Sequence, residues 1–295
     1  MSDKVQDYLN KHGMKEVIME DLIFHVSHKL ATREFRESLI FIDEMITGGH
    51  ILKDSRTTTA GILELKNGER YFIKRENNKG VKFTLKYMLR RSRVYRAAYA
   101  ASQLDELGIP TPRVVAVGSR RKFHVLQSGY LITETVDHAL LMSRMCQMLN
   151  EDKDFFDDFL STVCAYITNI HDNNIIHGDL KLSNIYCVDE PTGYSFGLWD
   201  LDGAVVSNAK LPIQTRVSEL ARIISSYMRI SHEQFNITHD LDVLAARFCE
   251  QYNTSSQVKL PLDKLKRRTV IFLDKYNIPS DNDNSESDGN ERNTV

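Results

Sequence analysis

The sequence predicts an α+β protein with a small β-rich first lobe and a helical second lobe. Three observations predict it. Between about residues 50 and 136, short apolar runs alternate with turn residues, the pattern of successive strands. From about residue 138 onward, apolar positions recur every three or four residues over long stretches, the pattern of amphipathic helices. The chain has 295 residues, 42% of them apolar and 26% charged, enough for one large domain or two packed lobes.

Residues 1–45 mix charged and apolar positions. Within them, VIMEDLIFHVS fits a strand as well as a helix, whereas REFRESLIFIDEMI has helical spacing at Phe35, Leu39, Ile42 and Ile46. HILKDSRTTTAGILELKNGERYFIKRE reads as strand, loop, strand, turn, strand. Its Asn67-Gly68 pair can adopt the positive φ of a tight hairpin, and its last strand is read as ending on Lys74. Residues 81–107 read as a helix that GIPTP (108–112) stops, because glycine caps a helix end and proline cannot continue the ladder. RVVAVGS and GYLITETV are two further strands. After them DKDFFDDFLSTVCAYITNIHDNN is an amphipathic helix, and three more helices are expected near 215–230, 239–252 and 261–276. The expected organisation is an N-terminal extension (1–45), the β-rich lobe (46–137), a connector near 134–140, the helical lobe (138–280) and a disordered polar tail (281–295).

Composition excludes several classes. The 38 basic and 40 acidic residues leave a net charge of −2, unlike the basic domain of a nucleic-acid binder, so no nucleic acid is expected as partner. The four cysteines, Cys146, Cys164, Cys187 and Cys249, lack zinc-site spacing and stand among apolar neighbours, so reduced buried thiols are expected. The N-terminus has no apolar signal core, and no stretch reaches the roughly 18 apolar residues needed to span a bilayer. A cytoplasmic protein is expected.

Chemistry concentrates in His177-Gly178-Asp179-Leu180-Lys181-Leu182-Ser183-Asn184, between a helix and a short apolar strand. The Asp179 carboxylate can orient an attacking hydroxyl and accept its proton. The Asn184 side-chain oxygen can ligate Mg²⁺, which takes oxygen ligands. Lys181 can place positive charge beside a transferred phosphoryl group. Asp200, at the end of the apolar strand in GLWDLDGA, suits a metal ligand for ATP phosphates. Asp202, two residues on, reads equally as a second ligand or as a turn cap. Lys74, on an apolar strand upstream of this set, can pair with the α/β-phosphates.

In this order the segments resemble the protein-kinase-like superfamily, and within it the bacterial lipopolysaccharide core kinases, the heptose- and Kdo-kinase group. HGDLKLSNI resembles that group's catalytic loop, WDLD its metal-binding segment and FIKR its third strand. GIPTPRVVAVG and GYLITE resemble its fourth and fifth strands, and RRSRVYRAAY its regulatory-helix entry. The resemblance runs from about residue 50 to 230. It implies a bilobal kinase-like fold and an ATP- and Mg²⁺-dependent phosphotransferase. It makes Asp179 the general base, Asn184 and Asp200 the Mg²⁺ ligands and Lys74 the phosphate-contacting lysine. It places the adenine on a hinge at 131–136, through Glu134 and Val136. Two features depart from the wider pattern. No acid stands at Ala97 or Ala98, where the helix partner of Lys74 belongs, and the nearest offered are Asp105 and Glu106. In place of a glycine-rich loop stands KDSRTTTAG, whose Ser55, Thr57 and Thr58 offer hydroxyls and backbone N–H groups to phosphate oxygens.

The segment that anchors a protein kinase's activation loop is also missing, which favours a glycan or glycolipid hydroxyl as acceptor over a protein. Lys79, Lys82, Lys86, Arg90, Arg91, Arg93 and Arg96 form a run with no acid between them. It reads as a solvated helix face or as a contact for an anionic acceptor or the anionic inner membrane surface. The expected function is phosphorylation of a sugar hydroxyl of the lipopolysaccharide core. The alternatives are another kinase-like phosphotransferase with a protein or small-molecule acceptor, and a pseudokinase that binds nucleotide as a scaffold.

Overall fold

The structure is a computed structural model that describes residues 8–29, 31–77, 92–122 and 125–278. Lys79, Lys82, Lys86, Arg90 and Arg91 of the basic run, and the tail 281–295, lie outside the described residues. The chain divides into two compact units: residues 1–137 with Leu198–Val205, and residues 138–197 with 206–295.

The first unit is built on a seven-stranded antiparallel sheet. Its strands are β1 (Met14–Met19), β2 (Leu22–Ser27), β3 (His50–Ser55), β4 (Thr58–Glu64), β5 (Arg70–Asn77), β6 (Val114–Lys122) and β7 (Val125–Glu134), in the order β1-β2-β6-β7-β5-β4-β3. The segment 17–27 is therefore two strands, joined at Glu20, whose φ is +51°. Alternation along each strand sends one side chain in two to a common core. Leu22, Phe24, Val26, Leu63, Tyr71, Ile73, Tyr130 and Ile132 meet there with Phe35, Leu39, Ile42 and Ile46. Those last four come from α1 (Arg33–Ser38), a 3-10 turn and α2 (Ile42–Gly48). Thr32 caps α1 by accepting from the Phe35 N–H at 3.1 Å. Residues 14–48 thus supply two strands of the sheet and much of its core.

Two local expectations change, and a third is described in part. Lys74 does not end its strand: β5 runs on to Asn77, and Lys74 sits opposite Ala60 of β4 and Leu131 of β7. The β4–β5 turn holds three residues rather than two. The Gly68 N–H donates to the Leu65 carbonyl at 2.9 Å, and in this turn Gly68 takes a positive φ, +84°, while Asn67 does not. The helix of 81–107 is described from Arg93 as α3 (Arg93–Glu106). It ends as GIPTP requires: Gly108 has φ +69°, and the Gly108 and Ile109 N–H groups bond the Asp105 and Leu104 carbonyls at 3.0 and 2.9 Å.

The second unit is mainly helical: α4 (Met142–Glu151), α5 (Lys153–Asp172), α6 (Ile213–Phe235), α7 (Leu241–Ser255) and α8 (Leu262–Asp274). The stripe Phe155, Phe159, Val163, Ile167 and Ile170 of α5 is buried. A short strand, β8 (Ile175–Ile176), follows α5, and a hairpin of β9 (Ile185–Glu190) and β10 (Gly193–Leu198) packs on that helix through Phe196, whose ring lies 5.7 Å from Phe155 and 5.5 Å from Phe159. Asp152 and Asp240 cap α5 and α7. All four cysteines are free and buried. Among the described residues no helix is long and apolar enough to cross a membrane.

Candidate active site

In the first unit, the sheet's alternation decides where Lys74 points. Tyr71 and Ile73 face the core under α1 and α2, so Phe72, Lys74 and Glu76 face the other way. On that face Glu76 pairs with Arg93 at the start of α3, at 3.2 Å. Lys74 Nζ lies 2.6 Å from Asp200 Oδ1 and 2.7 Å from Asp202 Oδ2. Its side chain is 15% exposed. Burial works against the ammonium, but the carboxylates of Asp202 and Asp200 outweigh it and hold the lysine pKa above its usual value. Asp200 has φ +59° and ψ +56°, and opens the 3-10 turn Leu201–Gly203. Aspartate tolerates this left-handed conformation better than most residues.

Ala97 and Ala98 are fully buried. Neither Asp105 nor Glu106 takes the missing helix acid's place: among the described residues the acids on Lys74 are Asp200 and Asp202, and Glu106 pairs with Lys11 at 2.8 Å. Ser55 spends its hydroxyl inside the β3–β4 turn, donating to the Thr58 carbonyl at 2.9 Å and accepting the Thr58 N–H at 3.1 Å. Thr57 Oγ1 is 3.5 Å from Ser55 Oγ, and the Thr57 carbonyl accepts from the Asn77 N–H at 3.1 Å. At the end of β7, the Glu134 N–H donates to the Arg113 carbonyl at 3.0 Å, and its carboxylate takes two hydrogen bonds from the Arg113 guanidinium. Val136 follows, half-buried, beyond the strand.

In the second unit, the loop from His177 to Asn184 is held by one face of α6. Glu219 accepts the N–H groups of His177 at 2.9 Å and Gly178 at 2.6 Å, and Ser226 Oγ accepts that of Leu182 at 2.7 Å. Gly178 has φ +85°, which explains a glycine at this point. Glu219 is buried against His171 Nε2 at 3.2 Å, while His171 Nδ1 is 3.0 Å from the Tyr252 hydroxyl. Burial alone would raise the Glu219 pKa, yet the hydrogen bond and charge of His171, with the His177 N–H, bring it below the usual carboxylate value.

The loop so held presents Asp179 to three donors. Lys181 Nζ is 2.9 Å from Oδ2 and Arg222 Nη1 is 3.2 Å from Oδ1. Asn184 Nδ2 donates to the Asp179 carbonyl at 2.8 Å and lies 3.4 Å from Oδ2. With its nitrogen so engaged, Asn184 keeps its side-chain oxygen for another partner. Lys181 is thus on the base candidate's own carboxylate. Sequence reasoning missed Glu219, Arg222 and Ser226. Their spacing of three and then four residues, polar positions inside the apolar run of VSELARIISS, was the available signal.

The profile of the lipopolysaccharide kinase (Kdo/WaaP) family matches residues 50–246. That range contains Lys74, Asp179, Asn184, Asp200 and the α6 residues that hold the loop. A solved structure described as WaaP in complex with acyl carrier protein has the same fold, with a TM-score of 0.54 at 18% identity over 79% of this chain and 89% of that one. Comparison with curated proteins finds no match. The α+β fold is therefore kinase-like, and the chain belongs to the lipopolysaccharide kinase (Kdo/WaaP) family.

Proposed function

We propose that the protein transfers the γ-phosphoryl group of ATP to a sugar hydroxyl of the lipopolysaccharide core. The observation that carries this reading is the loop 177–184. Its Asp179 carboxylate is oriented by Lys181, Arg222 and Asn184, and its backbone is clamped by Glu219 and Ser226.

Asp179 accepts the proton of the sugar hydroxyl as that oxygen bonds to phosphorus and the bond to the leaving ADP breaks. Lys181 and Arg222 aim the carboxylate. Lys74 contacts the nucleotide phosphates, Ser55, Thr57 and Thr58 line them, and Glu134 and Val136 hold the adenine through their backbone. A protein kinase-like nucleotide site also needs Mg²⁺, and the donor chemistry suits it. Asn184 has its nitrogen turned to Asp179, so its oxygen is the atom available to a cation, and Asp200 offers a carboxylate. Each supplies an oxygen of the kind Mg²⁺ takes, and the ion keeps water and phosphate oxygens among its ligands. When bound, the ion neutralises charge developing on the transferred group.

The argument for a nucleotide-binding scaffold was the lack of an acid at Ala97 or Ala98. It weakens because Lys74 is held by other acids. The test is phosphate incorporation from labelled ATP into a lipopolysaccharide core acceptor with Mg²⁺. Asp179→Ala should lose roughly 10²–10⁴-fold in kcat, the usual range for a general base. Undiminished transfer in that variant would remove Asp179 from the mechanism, and an inert wild type would reject this acceptor.

A further inference from the structure

We infer that Asp202 is the positioning partner of Lys74, supplying from the turn after β10 the carboxylate that the helix lacks. The inference rests on the kinase reading above and adds to it a residue with a role separate from the metal ligand Asp200.

Lys74 is largely buried on a sheet face, and a buried ammonium without a carboxylate partner is strongly destabilising. Asp200 is within 2.6 Å, but its carboxylate is the one assigned to Mg²⁺. A carboxylate that also served Mg²⁺ would share its charge between the ion and the ammonium, which would weaken its hold on Lys74. Asp202 Oδ2, at 2.7 Å and on the better-shielded of the two acids, is what remains. Its carboxylate is 28% exposed, against 40% for Asp200.

The local structure explains why the acid comes from here. The turn Leu201–Gly203 packs against α3, whose Ala97 and Ala98 carry only methyl groups and are fully buried. Such small side chains let the turn approach the helix, and the turn then brings its own carboxylate to the lysine. Helix acid and turn acid are two solutions to one requirement: an anion that holds the ammonium where phosphates arrive. On this inference Asp202 serves as the partner of Lys74 rather than as the second metal ligand or turn cap that its sequence position also allowed.

A double-mutant cycle separates these roles. Phosphoryl transfer to a lipopolysaccharide core acceptor is measured for the wild type, Lys74→Met, Asp202→Asn and the double variant, each across a range of Mg²⁺. If Asp202 acts through Lys74, Asp202→Asn lowers kcat/KM about tenfold or more, and the double variant is no worse than Lys74→Met, within about twofold. The Mg²⁺ concentration for half-maximal activity stays unchanged in Asp202→Asn. Losses that multiply in the double variant, or a raised Mg²⁺ requirement, overturn the inference and make Asp202 a metal ligand, leaving the kinase reading intact. An inert wild type overturns the kinase reading instead. The contact is then decided by the acylation rate of Lys74 with an amine-reactive ester, followed by mass spectrometry. Asp202→Asn should speed it about threefold or more, since the amine loses a carboxylate that keeps it protonated; an unchanged rate overturns the inference. Should Asp202→Asn not fold, Asp202→Glu is carried through the same cycle. It retains the charge and lengthens the arm, so its loss should again vanish in the Lys74→Met background.

Discussion

Single residues in the loop 177–184 carry constraints of different kinds. Asp179 and Asn184 are constrained by what they must touch, and Gly178 by what its backbone must do. With φ at +85°, Gly178 is where a side chain would meet the left-handed penalty, about 1–2 kcal/mol for a residue with a Cβ. That strain would fall on the peptide whose N–H donates to Glu219, immediately before Asp179. Gly178→Ala is therefore expected to cost activity beyond its cost to stability. The check is kcat beside the melting temperature: a loss of about 1–2 kcal/mol in stability with a more than tenfold fall in kcat is the expected outcome. Lys74, Asp179, Asn184 and Asp200 stand out in the sequence by residue type and order, and the structure pairs Lys74 with Asp200 and Asp179 with Asn184. Asp202 was visible as an acid but ambiguous, since proximity to Lys74, 128 positions earlier, is a tertiary fact. Asp105 and Glu106 looked suitable from sequence distance alone, yet Glu106 is taken by Lys11.

At the level of elements, α6 does the most. The sequence predicts a helix near 215–230, and the helix runs over Ile213–Phe235, 23 residues. Three polar residues along it, Glu219, Arg222 and Ser226, organise the loop. Removing the Glu219 carboxylate leaves two loop N–H groups and His171 without their acceptor. Each orphaned buried group costs about 1–3 kcal/mol, so Glu219→Ala should destabilise the protein by roughly 3 kcal/mol or more. Glu219→Gln keeps one acceptor oxygen and should cost less. Denaturant unfolding of both variants checks this, and equal losses would mean that packing rather than hydrogen bonding holds the loop. The strands were legible where turns punctuate them. The exceptions have physical causes: β5 continues past Lys74 because pairing with β4 and β7 continues to Asn77. The segment 17–27 was ambiguous because its alternation is imperfect, and only pairing of β2 with β6 made it part of the sheet.

For the whole molecule, each unit has its own apolar core and its own buried polar groups, and these set the response to pH. In the second unit His239 is half-buried beside Tyr227, 4.7 Å between rings, with Nε2 3.0 Å from Asn150 Oδ1. Burial holds its pKa below the ordinary 6.5. A histidine of this kind binds its proton more readily unfolded than folded. Its contribution to stability is complete above about pH 6.5 and is lost as pH falls through the folded value. The melting temperature should therefore drop on acidification below that point, with a slope of at most about 1.4 kcal/mol per pH unit from this group. His239→Gln should flatten the dependence in that window, and an unaltered slope would assign it to other groups. Glu219, whose folded pKa is lowered, adds a loss at more acid pH, as protonation reaches the carboxylate. By itself the sequence determined the α+β class, the strands between about 50 and 136 and the helices that follow them, because local periodicity and short motifs carry that information. Tertiary structure alone decided which acids hold Lys74, which helix face clamps the loop and that residues 14–48 complete the sheet. Each of those depends on groups distant in sequence being brought within hydrogen-bond or strand-pairing distance, and no local pattern encodes that distance.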